Sequence, residues 1–246
     1  MSGAIWITWY DLPETGRDAY CAWLHDSYLP ALLKRPGFRW AAHYAAVPKG
    51  AARTIRRNDA EEFHGDPDLP RGWGYMLLIG GDHANIFGNP APAALNAGLP
   101  AADRKMLAMR NGERVNVMVE AARVESDETK QQVSTMPLAP CIQLGNFNYP
   151  WQQEEELLAW FTQWRMPAIV KQPGCVRVRK LVSVAGWAKH GVIYEWTSVE
   201  ARNNGYLTHE DGNPEMKAWS DRVVGRTEHA PGSATLATRL WPPLST

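Results

Sequence analysis

The chain is poor in cysteine and makes no ordered use of what it has. Cys21, Cys141 and Cys175 are an odd number with no CxxC spacing. That excludes a disulfide framework and a cysteine-built zinc site, and it points to buried free thiols. Charge of one sign is also missing: Lys plus Arg and Asp plus Glu both number 26, so no overall field favours nucleic acid or an anionic membrane. No apolar run reaches the roughly 18 residues that span a bilayer. The opening MSGAIWITWYDLPE lacks the basic and apolar regions of a signal peptide, and a cytoplasmic protein is expected. GxGxxG, P-loop, GxSxG, HExxH and HxxxH patterns do not occur, which argues against a nucleotide fold, a nucleophile elbow and a local metal site.

What is abundant is aromatic: twelve Trp, eight Tyr and five Phe. These side chains bury large areas, yet Trp and Tyr each carry a polar tip that wants a partner. They suit a bulky core or a lined pocket. The chain also repeats itself. WLHDSYLPALLKRPGFR at 23–39 returns, 137 residues later and without a gap, as WFTQWRMPAIVKQPGCV. Trp23 matches Trp160, Pro30 matches Pro167, Lys34 matches Lys171, and Pro36-Gly37 matches Pro173-Gly174. A fixed offset over such unlike residues indicates an internal duplication.

The halves read as the same succession of elements. The first gives a strand at 5–10, a helix at 16–34 with Tyr20, Trp23, Leu24 and Leu32 near a 3.6 period, strands at 38–47 and 73–79, a broken helical region at 82–111, and a strand at 114–124. Pro30 should kink or shorten its helix. The second gives a strand at 141–147, a helix at 152–171, strands at 175–184 and 191–196, helices after Ser198 and around 215–224, and a strand at 234–240. Ser198 reads as a helix N-cap. Each half is β-α-β-β-α-β, the ferredoxin-like order. The expected fold class is α+β: unit 1–126, linker 127–137 and unit 138–246, packed sheet to sheet so that each covers the other's bare face. One molecule then does what a homodimer does, as an internal pseudo-dimer, and further homo-oligomerisation is left open.

The strand, helix and turn of each half, W-x6-P-x-L-x3-P-G-F in the first and W-x6-P-x-I-x3-P-G-C in the second, resemble EthD-like proteins of the dimeric α/β-barrel superfamily in tandem. The resemblance covers about a quarter of the chain and implies a fold more than a function, because the superfamily includes monooxygenases, isomerases, cyclases and haem proteins. Where that family carries a His two residues before the Pro, this chain has Tyr28 and Arg165. Chemistry relying on that His does not transfer.

Duplicated scaffolds need matching core residues, so polar mismatches mark candidate function. Across the offset His25 faces Thr162, Tyr28 faces Arg165, Trp40 faces Arg177 and His43 faces Lys180. His25 and Tyr28, three apart, should share a helix face, and His43 follows on the next strand with Arg39, Ala41 and Ala45. An imidazole and a phenol together suit general acid-base work; a solvated helix face is the plainer reading. We expect His25, Tyr28 and His43 as catalytic residues, Trp9, Trp23 and Trp40 as walls, and His83 and Arg165 as further substrate-binding residues. No cofactor and no metal is expected, although one axial His would suffice for haem. His190 and His229 have no supporting context in sequence.

The long segment 48–72, with Arg53, Arg56, Arg57, Asp59, Glu61, Glu62 and His64, reads as a lid over the first half or as a solvated loop. The leading expectation is a cofactor-independent isomerase, cyclase or lyase acting by proton transfer on a small hydrophobic, aromatic or polyketide-like molecule in the first half, with the second half a structural partner. A non-catalytic binding or scaffold protein, and a monooxygenase or haem-dependent member, are the alternatives.

Overall fold

The computed structural model describes residues 3–48, 66–127 and 138–244. The fold grows from the repeat. Strand β1 (Ala4–Asp11) leads into α1 (Arg17–Trp23), a π-helical turn (Leu24–Tyr28) and α2 (Leu29–Leu33). The second half repeats this at the same spacing with β5 (Cys141–Asn148), the helix Glu154–Trp160, a π turn (Phe161–Arg165) and the helix Met166–Val170. Pro30 follows a π turn, and the helix runs on from it to Leu33. In the π turn the Leu29 N–H bonds to Leu24 O, five residues back, and the Met166 N–H does the same to Phe161 O. The wider turn shifts the carbonyl that the proline ring would strike, and the helix continues. Gly37 and Gly174 then turn the chain at φ 85° and 76°, where a Cβ is disfavoured.

The first half continues with β2 (Phe38–Ala46), β3 (Tyr75–Gly81), the short helices α3 (Pro92–Ala97) and α4 (Ala101–Leu107), and β4 (Asn111–Glu125). The second adds β6 (Cys175–Ala185), β7 (His190–Trp196), longer helices at Val199–Thr208 and Pro214–Val224, the two-residue β8 (Glu228–His229) and β9 (Thr235–Trp241). Ser198 does cap its helix, accepting from the Ala201 N–H at 3.0 Å. Each half supplies four strands in the same order, β4-β1-β3-β2 and β9-β5-β7-β6. The two sets join at both edges, as the barrel resemblance implies. β4 pairs with β6 and β2 with β9, both antiparallel, so eight strands close into one barrel. Closure removes the unpaired edges that two open sheets would expose.

Alternation along the strands sorts side chains into three layers. Ile5, Ile7, Trp9, Tyr44, Met76, Leu78, Leu144 and Ile193 fill the barrel interior. The opposite faces pack under the helices of their own half, Trp6, Tyr10, Tyr20 and Leu24 in the first, Phe147, Trp160, Phe161 and Tyr194 in the second. Truncating a fully buried interior residue such as Leu78 should cost about 2–5 kcal/mol. Among the described residues, no helix is long and apolar enough to cross a membrane, and all three cysteines are free, two of them buried.

Candidate functional site

The helix–sheet gaps of the two halves differ. In the first, Arg110 stands at the mouth of β4 with its side chain wholly buried. Its guanidinium carbon lies 4.7 Å from the Tyr10 ring, 5.8 Å from Tyr20 and 6.0 Å from Tyr28. Nε donates to Tyr20 Oη at 2.6 Å and Nη1 to Glu113 Oε1 at 2.7 Å, while Nη2 is buried without a partner. Arginine and rings occupy the space between them.

In the second half a cavity of about 180 Å³ opens between β5, β7 and the helices. Its floor comes from alternate residues of β5, Gln143, Gly145 and Phe147. Gly145 stands where the first half has Thr8, a buried residue whose hydroxyl accepts from Trp6 Nε1 at 2.9 Å. A missing side chain at this position leaves room. Trp160, Phe161, Tyr194 and Tyr206 give aromatic walls.

Arg165 lines this cavity at the position matching Tyr28. Its Nε donates to Tyr194 Oη at 3.2 Å, and Nη1 meets His209 Nε2 and, at 3.4 Å, Glu210 Oε1. The guanidinium carbon lies 4.6 Å from the Tyr206 ring, 5.3 Å from Trp160 and 5.5 Å from Tyr194. Nη2 bonds to no described residue and, unlike its Arg110 counterpart, is not sealed from the cavity. A buried arginine normally satisfies its donors, so this one is available to a ligand.

The surroundings keep that charge in place. Burial alone would raise the Glu210 carboxyl, but hydrogen bonds from His209 and Ser220 and the Arg165 charge hold it down at about 2. Burial lowers His209, whose Nδ1 lies 2.7 Å from Tyr206 O and whose Nε2 sits between Arg165 and Glu210. Burial outweighs the arginine and pushes Tyr194 up to about 12, so its hydroxyl keeps its hydrogen. On the far side His229 lies against Phe147, ring centroids 5.6 Å apart. Burial lowers it to about 4. Its Nδ1 is 3.0 Å from Thr227 Oγ1, which spends its own hydrogen on Val224 O at 2.7 Å.

The expected residues divide between these places. His25 Nε2 and His43 Nδ1 do meet, at 2.8 Å, and His43 Nε2 reaches Tyr10 Oη at 2.9 Å. Burial drives His43 well below its ordinary range. Tyr28 does not join them: the π turn breaks the i,i+3 alignment, and its hydroxyl donates to Asn96 at 2.8 Å. Trp23 lies beside it, Nε1 donating to Asp103 at 2.8 Å. Trp9 and Trp40 are not walls of either gap. Alternation turns both into the barrel interior, where Trp9 meets Arg114 at 5.0 Å and Trp40 covers Gly80. His83 is exposed at the start of a 3-10 turn. The expected lid, with its charged residues and His64, lies mostly in 49–65, outside the described residues. Sequence reasoning missed Tyr194, Tyr206, His209, Glu210 and His229. Tyr194 was legible by alternation from Trp196, whereas the others sit in helical and irregular segments without a period.

His190 also has a context that sequence did not give. Its Nδ1 lies 3.0 Å from the buried Lys180 Nζ and its Nε2 lies 3.2 Å from Glu154 Oε1. Burial pulls Lys180 down to about 7 and His190 to about 4.

Among the described residues no three His, Cys, Asp or Glu groups are placed to hold a metal ion.

No protein-family model and no curated protein matches the chain. Solved structures do. An anthrone oxidase-like protein aligns over 98% of this chain and 92% of its own with 11% identity and a TM-score of 0.62. A protein of Lactobacillus acidophilus assigned as a monooxygenase aligns over 97% and 94% with 11% identity and a TM-score of 0.54. The chlorite dismutase of Candidatus Nitrospira defluvii, in complex with imidazole, aligns over 97% and 91% with 8% identity and a TM-score of 0.53. The chain has the dimeric α/β-barrel fold of these neighbours; identities this low show the fold alone.

Proposed function

We propose that the chain is an enzyme that moves protons on a small aromatic or polyketide-like molecule in the second-half cavity, without a cofactor. One observation carries this reading: a buried, permanently charged guanidinium with one nitrogen left over, facing a space of one to two rings between aromatic walls. In such a site a neutral ketone or phenol binds by its rings, and the anion formed on deprotonation meets Arg165 Nη2. Charge placed beforehand where an oxyanion develops is commonly a large term in catalysis.

The remaining steps follow from the neighbours. His229, which lines the cavity, takes the proton from an acidic C–H or O–H of the bound molecule, and the electron pair moves onto the carbonyl or phenolic oxygen. Tyr194, whose oxygen already accepts from Arg165 Nε, donates its hydrogen to the same oxygen. Return of the proton from His229 to a different atom completes an isomerisation. His209 and Glu210 position Arg165 without touching the ligand. The common offset, the paired π turns and the matching strand orders support two tandem ferredoxin-like units, of EthD-like kind in their helix and turn, with 127–137 as the linker.

The test is proton exchange. A two-ring ketone such as 2-tetralone, incubated with the protein in D2O, should lose its α-proton signal faster than in buffer. His229→Gln should lower that rate by about 10²-fold with binding kept. Binding without faster exchange would make the chain a binding protein. Exchange accompanied by dioxygen uptake would assign it to oxidation of the same anion.

A further inference from the structure

The first half has an open groove of about 330 Å³ that the proposed reaction does not use. It lies at the β2–β3 end, lined by Asp11, Arg17, Trp73, Gly74, Tyr75 and the 45–48 segment. Two of its polar groups are uncommitted. Arg17 makes no hydrogen bond or ion pair with any described residue, and its Nε is buried. Asp11 does not serve it, because Oδ1 accepts from the N–H groups of Trp73 at 3.2 Å and Gly74 at 2.7 Å. Tyr75 Oη has no partner among the described residues and is not sealed from the groove.

The aromatic side of the groove is rigid. Tyr75 stacks on His43 at 5.5 Å and 22° and on Tyr10 at 5.8 Å and 18°. His43 is fixed in turn by His25 and Tyr10. Trp73 is held by its backbone bond to Asp11 and by contact with Gly232, where a Cβ would come within 2.4 Å of the Trp73 Cβ. Gly232 belongs to the rim of the second-half cavity, so the two spaces are neighbours with separate arginines.

We propose that this groove is a second ligand site for a small planar carboxylate, its acid group held by Arg17 and Tyr75 Oη and its ring laid against Tyr75 and Trp73. A guanidinium presents paired donors in the plane that a carboxylate matches. A flat ring extends a stack that the protein has already built. The site is independent of the proposed reaction, since Arg165 takes no part in it.

Calorimetric titration of the full chain with benzoate tests the assignment. In an Arg165→Met background, which removes the cavity arginine, benzoate should still bind at one site. Adding Arg17→Gln should weaken that site at least tenfold, and adding Tyr75→Phe should weaken it several-fold. Arg17→Lys keeps the charge and loses the fork, and it should fall between. Unchanged affinity on adding Arg17→Gln, or loss of all benzoate binding with Arg165→Met alone, overturns the proposal. Inorganic phosphate bound as tightly as benzoate, with the same dependence on Arg17, overturns the planar carboxylate in favour of a plain anion site.

Discussion

In the first half a buried arginine enters from the strand side, at Arg110, and is closed in by three tyrosines, two of them from the helix. In the second half the helix itself supplies the arginine, Arg165, and the tyrosines come from β7 and the following helix. The same pair of residue types thus meets with its sources exchanged. The consequence is spatial. Arg110 ends with a sealed, unpartnered nitrogen and no listener, whereas Arg165 keeps one nitrogen toward a cavity. Thr8 against Gly145 adds to the difference by one side chain. Two halves with matching strand orders therefore differ in whether the gap between helix and sheet is filled or open.

The largest expected effect removes the open arginine. Arg165→Met should lower ketone exchange by about 10²–10³-fold, the range for a lost oxyanion donor. Arg110→Met should leave it within about twofold, because distant sites couple weakly. Equal losses from the two variants would end the distinction between the halves. A second comparison concerns space. Gly145→Thr should fill the cavity and weaken 2-tetralone binding at least about tenfold, since even its Cβ would sit 3.3 Å from Val192 Cγ1 and small volume changes are felt in packed sites. The reciprocal Thr8→Gly should leave binding unchanged and cost about 1 kcal/mol of stability through the lost bond to Trp6 and the freer backbone.

A third comparison sets His43→Gln against His229→Gln. Exchange should survive the first and fall with the second; the reverse pattern in kcat would move the chemistry to the His25–His43 pair. The smallest effect is on pH. Lys180 and His43 hold the same strand position, and both have a folded pKa below the ordinary one. The unfolded chain then binds more protons between the two values, so stability rises with pH through that window. For Lys180 the window runs from about 7 to the ordinary 10.5, and for His43 it lies below 6.5. Lys180→Met should flatten the rise in Tm above pH 7, and His43→Gln the rise on the acid side.

Much of the fold was legible because it is local. Strand alternation, the helix period, the Pro-Gly turns and the offset between the copies place β1, β2, β5, β6 and their helices within a residue or two. Pro30 was read as a kink or a shortening because sequence shows the missing N–H but not a π turn that accommodates the ring. The closed barrel was less visible, since the β4–β6 and β2–β9 seams depend on edges far apart in the chain meeting in register. Of the candidate site, Arg165 was legible as a mismatch against Tyr28, and His43 as a mismatch against Lys180.

By itself the sequence determined that one strand-helix-turn pattern occurs twice at a fixed offset, that aromatic side chains run through both occurrences, and that Tyr28 and Arg165 mark where they differ. Periodicity and turn chemistry act over a few residues, and these features need nothing more. Tertiary structure decided which copy is filled and which is open. That outcome depends on side-chain volumes and unpaired nitrogens contributed by segments tens of residues apart, at Arg110 and Asn96 in one half, at Tyr194, Tyr206 and Glu210 in the other. Only close packing brings those volumes together.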